Sequence, residues 1–120
     1  MKRMKVVVFC VGVFVFGVWA AGAGAAAGSQ KGRAAQLERG RKVYADRCAR
    51  CHGSDGQGHT PMGQTVEPPD LSDPAWKRGR TDAQMRASVA NGRGQMPAFK
   101  NKLSRQDIAA SIAYVRTLRR

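Results

Sequence analysis

Apolar side chains recur three or four positions apart near the end of the chain, at Ile108, Ile112, Val115 and Leu118. This spacing places them on one face of a helix. Ser104 precedes the stripe as a candidate N-cap, and Leu103 is spaced to pack against Ile108 as a hydrophobic staple. The pattern predicts an amphipathic helix that begins after Ser104 and buries its apolar face.

A second helix is predicted in the middle of the chain, where Thr81 and Gln84 have the spacing of a capping box. The dipeptide Asn91-Gly92 supplies a stop signal after about ten helical residues. Met85 and Val89 lie four positions apart within this segment, so we expect both side chains to face the interior.

A narrower stripe is formed by Leu37, Gly40, Tyr44 and Cys48, which follow one another at helical spacing among charged residues. Because glycine has no side chain, the backbone of another helix can approach Gly40 closely. We expect Tyr44 and Tyr114 to fill that contact by ordinary packing. The stripe therefore predicts a first helix that begins at residue 36 and ends near the cysteines.

The segments between these helices are rich in Gly and Pro, which interrupt any period. Residues 53–74 are predicted to form a loop, with one short helical turn between Leu71 and Trp76. No alternating pattern typical of a strand occurs in residues 36–120. The sequence predicts an all-α fold with about three main helices and long loops.

The chain opens on a short basic segment, followed by an uncharged run from Val6 to Gln30 that ends in a tract of Ala and Gly. This order is typical of a secretory signal peptide, with cleavage near Ala25 to Ala27. The alternative is an uncleaved membrane anchor, because the run contains no charge. We therefore divide the chain into a signal peptide at 1–27, a flexible lead-in at 28–35 and a domain at 36–120, and we expect the domain in the periplasm.

The chain is strongly basic, with 21 Lys and Arg against 8 Asp and Glu and a formal net charge of +13. Such a charge favours acidic partners or anionic surfaces. Nucleic acid is not expected, since the basic residues are scattered and lack interleaved aromatic residues. The domain is also small for a self-sufficient apolar core, and Cys48 and Cys51 alone cannot staple it, which favours a large apolar cofactor at its centre.

The sequence Cys48-Ala-Arg-Cys51-His52 has the C-x-x-C-H spacing of covalent haem attachment. In this chemistry two thiols bond to the porphyrin and the adjacent imidazole binds the iron. A thioredoxin-type site would need a βαβ context, which is not evident. A zinc site could add His59, but the direct adjacency of Cys51 and His52 makes tetrahedral closure awkward. The motif predicts one haem c, bound through Cys48 and Cys51, with His52 as an iron ligand.

Over residues 36–118 the chain resembles the class I monohaem cytochromes c. The resemblance rests on "GRKVYADRCARCHG", "PPDLSDPAW", "NGRGQMPAF" and "IAYV". It implies a small cytochrome c fold around one haem, in which the first and last helices cross near Gly40. It also implies one-electron transfer as the activity, without catalysis by the chain itself.

A second iron ligand is needed opposite His52, and three methionines follow it: Met62, Met85 and Met96. Met85 lies on a predicted helix, where a methionine is more often core. Met62 follows His52 too closely to reach the other face of a haem. Met96 lies in a Gly-rich loop before a proline and resembles the Met-Pro ligand loop of the family, so we predict Met96 as the ligand.

Two further residues are assigned through the resemblance. Pro61 resembles the family proline whose carbonyl accepts a hydrogen bond from the proximal histidine, with Pro68 as its competitor and a plain turn proline as the alternative. Trp76 resembles a family tryptophan whose indole N–H reaches a haem propionate, or it packs on the haem edge.

These features predict a periplasmic one-electron carrier. Arg93, Lys100 and Lys102 flank the methionine loop and could steer acidic redox partners. One alternative is a haem subunit of an exported dehydrogenase or oxidase. Two others are a five-coordinate haem sensor or peroxidase, which requires that Met96 does not bind iron, and a haem-free zinc or redox module.

Overall fold

The structure is a computed structural model that describes residues 23–120, with side chains from residue 28 onward. The predicted signal peptide over residues 1–27 and its alternative as an anchor lie outside the part described in full. Within the described part, no helix is both long and apolar enough to cross a membrane. Residues 23–120 form six helices: α1 Ala23–Arg47, α2 Ala49–His52, α3 Pro61–Val66, α4 Pro74–Arg78, α5 Asp82–Asn91 and α6 Arg105–Val115.

Residues 23–120 contain no strand, and the single bridge in this range joins Arg93 to Met96. The predicted all-α class is therefore confirmed. Three helices, α1, α5 and α6, have ten or more residues, and the remaining three are short segments within the connections.

Helices α1 and α6 cross where the sequence predicts, at Gly40. A Cβ placed on Gly40 would lie 2.6 Å from the carbonyl carbon of Ala110, so no larger residue fits without separating the helices. The rings of Tyr44 and Tyr114 lie beside this crossing with centroids 5.3 Å apart. Arg39 on α1 also forms an ion pair with Asp107 on α6, at 2.7 Å.

The capping signals of α5 and α6 are both present. The Thr81 hydroxyl accepts from the Gln84 backbone N–H, and the Thr81 backbone N–H donates to the Gln84 side chain. Ser104 and Asp107 form the same pair of hydrogen bonds. The predicted inward-facing residues are buried: Met85 and Val89 on α5, Ile108, Ile112 and Val115 on α6, and Leu118, which follows the end of α6. They divide into two apolar clusters, and Trp76 packs against both.

Three boundaries differ from the sequence predictions. Helix α1 already includes residues 28–35, predicted as a flexible lead-in, because this stretch has no proline and five of its eight residues are good helix formers, which outweigh its two glycines. Helix α3 lies within the predicted loop at 53–74, since Thr60 caps it and Pro61 occupies its first turn. The short turn predicted before Trp76 is displaced to α4, which begins after the N-cap Asp73.

Candidate functional site

A cavity of about 580 Å³ opens between the N-terminal helices, α5 and α6. Five of the six predicted site residues line it: Cys48, Cys51, His52, Trp76 and Met96. Much of the remaining wall is apolar and is formed by Leu71, Met85, Val89, Phe99, Ile112 and Val115. The fold thus brings the cysteine motif and the methionine loop to one cavity, although more than forty positions separate them in the sequence.

The cysteine motif forms one tight turn at the end of α1. The backbone N–H groups of Cys51 and His52 both donate to the Cys48 carbonyl, at 3.1 and 2.9 Å. The buried Tyr44 hydroxyl donates to the Gly53 carbonyl at 2.7 Å and so fixes the residue that follows the motif. Residues of α1 therefore contact the chain both where the motif begins and directly after it ends.

Helix α3 holds the motif from another side. The Thr60 hydroxyl donates to the Arg50 carbonyl at 2.8 Å and accepts from the Gly63 backbone at 2.8 Å. A Cβ on Gly63 would lie 2.6 Å from the Cys51 carbonyl oxygen, so α3 rests directly on the backbone of α2. Composition alone predicts a loop here, but this segment is a support for the motif.

Burial sets the protonation of the motif. It raises the pKa of the Cys48 thiol to about 11, with a smaller contribution from the neighbouring Cys51. It lowers the pKa of His52, and the nearby Pro69 carbonyl opposes this effect in part. The two thiols are half-buried and not joined in a disulfide. Before any cofactor binds, burial therefore favours the neutral forms of the Cys48 thiol and the His52 imidazole on the cavity wall.

The methionine loop is a tight turn closed by reciprocal hydrogen bonds between the backbones of Arg93 and Met96, both at 3.0 Å. Its conformation requires glycine, since Gly92 and Gly94 have φ values of 76° and 57°. The Phe99 N–H donates to the Val89 carbonyl at 3.0 Å and ties the end of the loop to α5. Met96 is half-buried and packs against the cluster that contains Met85.

The other two methionines have different surroundings. Met85 is buried on α5 within an apolar cluster, although it also reaches the cavity wall. Met62 is half-buried on α3 and is not among the lining residues. Of the three, Met96 is the one that lies on the cavity wall within a loop shaped by glycines.

The structure does not bring Pro61 to the cavity. Pro61 is exposed, and its carbonyl accepts from the Thr65 hydroxyl at 3.2 Å. Its competitor Pro68 lines the cavity, but the backbone carbonyl that acts on His52 belongs to Pro69. The Pro68-Pro69 pair does not by itself indicate Pro69, because the folding of the loop determines which of the carbonyls lies near the imidazole.

Among residues 28–120, two buried nitrogens on the cavity wall have no hydrogen-bond partner: His52 Nδ1 and Trp76 Nε1. Such orphans are unusual in a folded protein and point to a missing partner. The Pro69 carbonyl near His52 does not make a hydrogen bond of regular geometry with Nδ1. The guanidinium of Arg80, which no sequence motif singles out, lies over the Trp76 ring at 4.7 Å from its centroid.

These observations fit a covalently held haem. The volume is within the range of cofactor pockets, and an apolar wall with a few convergent polar groups is typical of them. Two thiols, a neutral imidazole and a thioether are the groups that bind haem c and its iron. The zinc alternative has no such support, because residues 23–120 contain no group of three or more His, Cys, Asp or Glu placed to hold a metal ion.

Comparisons with known proteins also relate the chain to c-type cytochromes. Residues 35–115 match the family model described as cytochrome c oxidase, cbb3-type, subunit III. The chain is 37% identical over 86 residues to the cbb3-type cytochrome c oxidase subunit CcoP of Azospirillum brasilense, covering 71% of this chain and 29% of that protein. It is 35% identical over 81 residues to subunit FixP of Bradyrhizobium diazoefficiens, covering 67% and 27% respectively.

Among solved structures, the KustC0563 c-type cytochrome is similar with a TM-score of 0.63 and 28% identity, over 68% of this chain and 98% of that one. The predicted resemblance to monohaem cytochromes c and the predicted cytochrome c fold are thereby confirmed. The chain spans less than a third of the length of the curated relatives that it matches.

Proposed function

Because the chain belongs to the family of c-type cytochromes described as subunit III of cbb3-type cytochrome c oxidase, we propose that it is a one-electron carrier with one haem c. The thiols of Cys48 and Cys51 would attach the cofactor, and His52 and Met96 would bind its iron. The observation that carries this proposal is that all four side chains line one apolar cavity.

The bound haem supplies one-electron chemistry between Fe(III) and Fe(II). The chain supplies the two side chains that would bind the iron and fixes their positions. Burial keeps His52 neutral, which is the form that binds metal. A thioether from Met96 as the second ligand raises the reduction potential relative to a second imidazole.

Both ligand positions are formed by rigid segments. His52 belongs to a turn held by α1 and α3, and the Met96 turn is closed by its own hydrogen bonds and tied to α5. Because each ligand is held independently of the other, neither has to move far when the charge on the iron changes. This arrangement suits electron transfer, and it disfavours the five-coordinate sensor or peroxidase, which would need an open position near Met96.

We further propose that the carrier works in the periplasm and passes electrons to or within a terminal oxidase. The relatives support an oxidase, because their names describe subunits of cbb3-type cytochrome c oxidase. Arg93 lines the cavity, and Arg93, Lys100 and Lys102 are all exposed. Together with the net charge of +13, they would attract an acidic docking surface, and this attraction should weaken with salt.

The attachment chemistry can be tested directly. The full chain is produced in a host with haem-attachment machinery, denatured, and examined for haem that stays with the polypeptide by gel staining and intact mass. We expect one haem in the wild type and none in the Cys48→Ser, Cys51→Ser double variant. Ser54→Ala, an exposed residue close to the motif that does not line the cavity, is the control and should retain the haem. Haem that separates from the wild type on denaturation would contradict covalent attachment.

The partner proposal needs a separate measurement. Electron transfer from the reduced protein to a purified cbb3-type oxidase is followed by oxygen uptake at increasing salt. We expect the rate to fall with salt, and to fall at low salt in the Lys100→Gln, Lys102→Gln variant but not in Lys31→Gln, an exposed control on α1. Equal rates in all three proteins would contradict docking at the methionine loop.

A further inference from the structure

The short helix α2, which carries the cysteine motif, ends on carbonyl groups that the following segment caps. A helix leaves its last carbonyls without a partner inside the helix, so their partners must come from elsewhere. The His52 carbonyl accepts from the Gly58 N–H at 2.7 Å. The carbonyl oxygens of Arg50 and Cys51 lie 2.8 and 3.3 Å from the hydroxyl oxygen of Thr60, which donates to both. A side chain therefore supplies part of this cap.

Thr60 belongs to α3 at the same time. It is the N-cap of that helix, and its hydroxyl oxygen accepts from the Gly63 N–H at 2.8 Å. A hydroxyl has one hydrogen to donate and lone pairs with which to accept, and Thr60 uses both. One hydroxyl thus joins the end of the helix that carries the motif to the beginning of the next helix.

The hydroxyl of Thr60 is held in this place by the backbone around it. The Thr60 N–H donates to the Gly58 carbonyl at 2.8 Å, and the Thr60 carbonyl accepts from the Gln64 N–H at 2.9 Å. Gly63 is buried, and a Cβ added to it would lie 2.6 Å from the Cys51 carbonyl oxygen. The two helix ends are therefore in direct contact, and Thr60 stays within hydrogen-bond distance of α2.

The imidazole of His52 has few other contacts that fix its direction. A metal-binding histidine is usually oriented by a hydrogen bond from the ring nitrogen that does not bind the metal. His52 Nδ1 has no such partner among residues 28–120, because the nearby Pro69 carbonyl lacks the regular geometry. The direction of the ring therefore depends on the backbone of α2, from which the side chain starts, and on the cap that holds this backbone.

We propose that the Thr60 hydroxyl is a positioning group for the iron ligand His52, an inference that rests on the proposed haem-binding function. Its donation to the carbonyls of Arg50 and Cys51 fixes the end of α2, and with it the plane in which the imidazole meets the iron. Thr60 is not among the residues that line the cavity, so it acts through His52 and does not touch the cofactor. Groups that orient a metal ligand in this way also tune the metal.

The test uses proton NMR of the oxidised, haem-loaded full chain, because the strongly shifted haem methyl resonances report the direction of the imidazole plane. Thr60→Val removes the hydroxyl at nearly constant volume, and Thr60→Ser keeps it. Thr60→Asp keeps an acceptor for the N-cap of α3 but has no hydrogen to donate at neutral pH. Thr65→Val is the matched control, since the exposed Thr65 hydroxyl donates to the Pro61 carbonyl within α3.

We expect Thr60→Val to change the pattern of haem methyl shifts and to make the Gly63 amide exchange its hydrogen about fivefold faster, as for the loss of one hydrogen bond. Thr60→Ser should restore both properties. Thr60→Asp should keep the slow exchange of Gly63 and still show the changed shift pattern, because it caps α3 without donating to α2. Thr65→Val should resemble the wild type in the haem methyl shifts.

Haem methyl shifts in Thr60→Val that superimpose on those of the wild type would overturn this inference and leave the proposed function intact. A wild-type pattern in Thr60→Asp would also overturn it, since only the cap of α3 would then matter, as would equal changes in Thr60→Val and Thr65→Val. If Thr60→Val does not fold, the comparison of Thr60→Ser with Thr60→Asp decides the question. A wild type that binds no haem would overturn both proposals.

Discussion

Replacement of Gly40 by alanine tests the crossing of α1 and α6. The added Cβ would lie 2.6 Å from the carbonyl carbon of Ala110 and 3.0 Å from Cβ of Tyr114. Carbon atoms normally approach to about 3.5–4 Å, and the added Cβ would lie closer still to the carbonyl oxygen of Ala110, so the helices would have to separate by more than about 1 Å. Since the nearest atoms are backbone, a change of side-chain rotamer cannot relieve the contact.

The magnitude follows from two opposing effects. Overpacking a well-packed contact costs about 1–3 kcal/mol, and a clash with backbone belongs at the upper end. Alanine is favoured over glycine within a helix by about 1 kcal/mol, which offsets part of this loss. We therefore expect Gly40→Ala to lower the free energy of unfolding by about 2 kcal/mol, or the melting temperature of a domain of this size by about 10 °C.

Gly32→Ala on the same helix is the matched control, because nothing lies within 4 Å of its added Cβ. The control should keep or gain stability, by up to about 1 kcal/mol. Both variants are unfolded in guanidinium in the haem-loaded form and followed by circular dichroism. If Gly40→Ala proved as stable as Gly32→Ala, the close approach of the two helices in solution would be refuted.

Two further predictions concern the polar contacts of Asp107 and Tyr44. The Arg39 side chain and the N-cap of α6 hold the pKa of Asp107 at about 2, below the value of about 4 for an unfolded aspartate. The contact therefore contributes stability above about pH 4 and loses it as the pH falls towards 2, so Asp107→Asn should flatten the acid limb of stability measured by denaturant unfolding at a series of pH values. If the free energy of unfolding fell with acid as steeply in Asp107→Asn as in the wild type, the ion pair between Arg39 and Asp107 would be contradicted. Tyr44→Phe removes the hydroxyl that donates to the Gly53 carbonyl and should cost about 1 kcal/mol in the same assay. Tyr114→Phe, whose hydroxyl makes no hydrogen bond within the described residues, should cost less, and equal losses would contradict this assignment.

The parts of the fold that the sequence predicted are those with local signals. The capping boxes at Thr81 and Ser104 lie within a few residues of the helices that they begin, so they could be recognised without a structure. The crossing at Gly40 was implied by the resemblance to the monohaem cytochromes c, and a glycine on the same helix face as Tyr44 agrees with it because it leaves room for the backbone of a second helix. The cysteine motif is similarly local, since its chemistry is contained in five consecutive residues.

The parts that the sequence did not predict depend on contacts between distant segments. Helix α3 has a composition typical of a loop, and it is placed by the packing of Gly63 on the Cys51 carbonyl. Pro69 and Arg80 were missed for the same reason. A proline carbonyl or an arginine carries no signal of its own until the fold places it beside His52 or Trp76.

Optical spectra of the oxidised and reduced protein and of its Met96→Ala variant test whether His52 and Met96 bind the haem iron. The wild type should show a reduced c-type spectrum and, when oxidised, the far-red band that arises from sulfur bound to ferric iron. Met96→Ala should retain the covalent haem but lose this band and shift to a lower reduction potential. Met62→Ala, a half-buried methionine that is not among the cavity-lining residues, should keep both properties. A far-red band that survives in Met96→Ala would contradict iron binding by Met96. A wild type that lacks the band and binds exogenous ligands at the iron would contradict it as well.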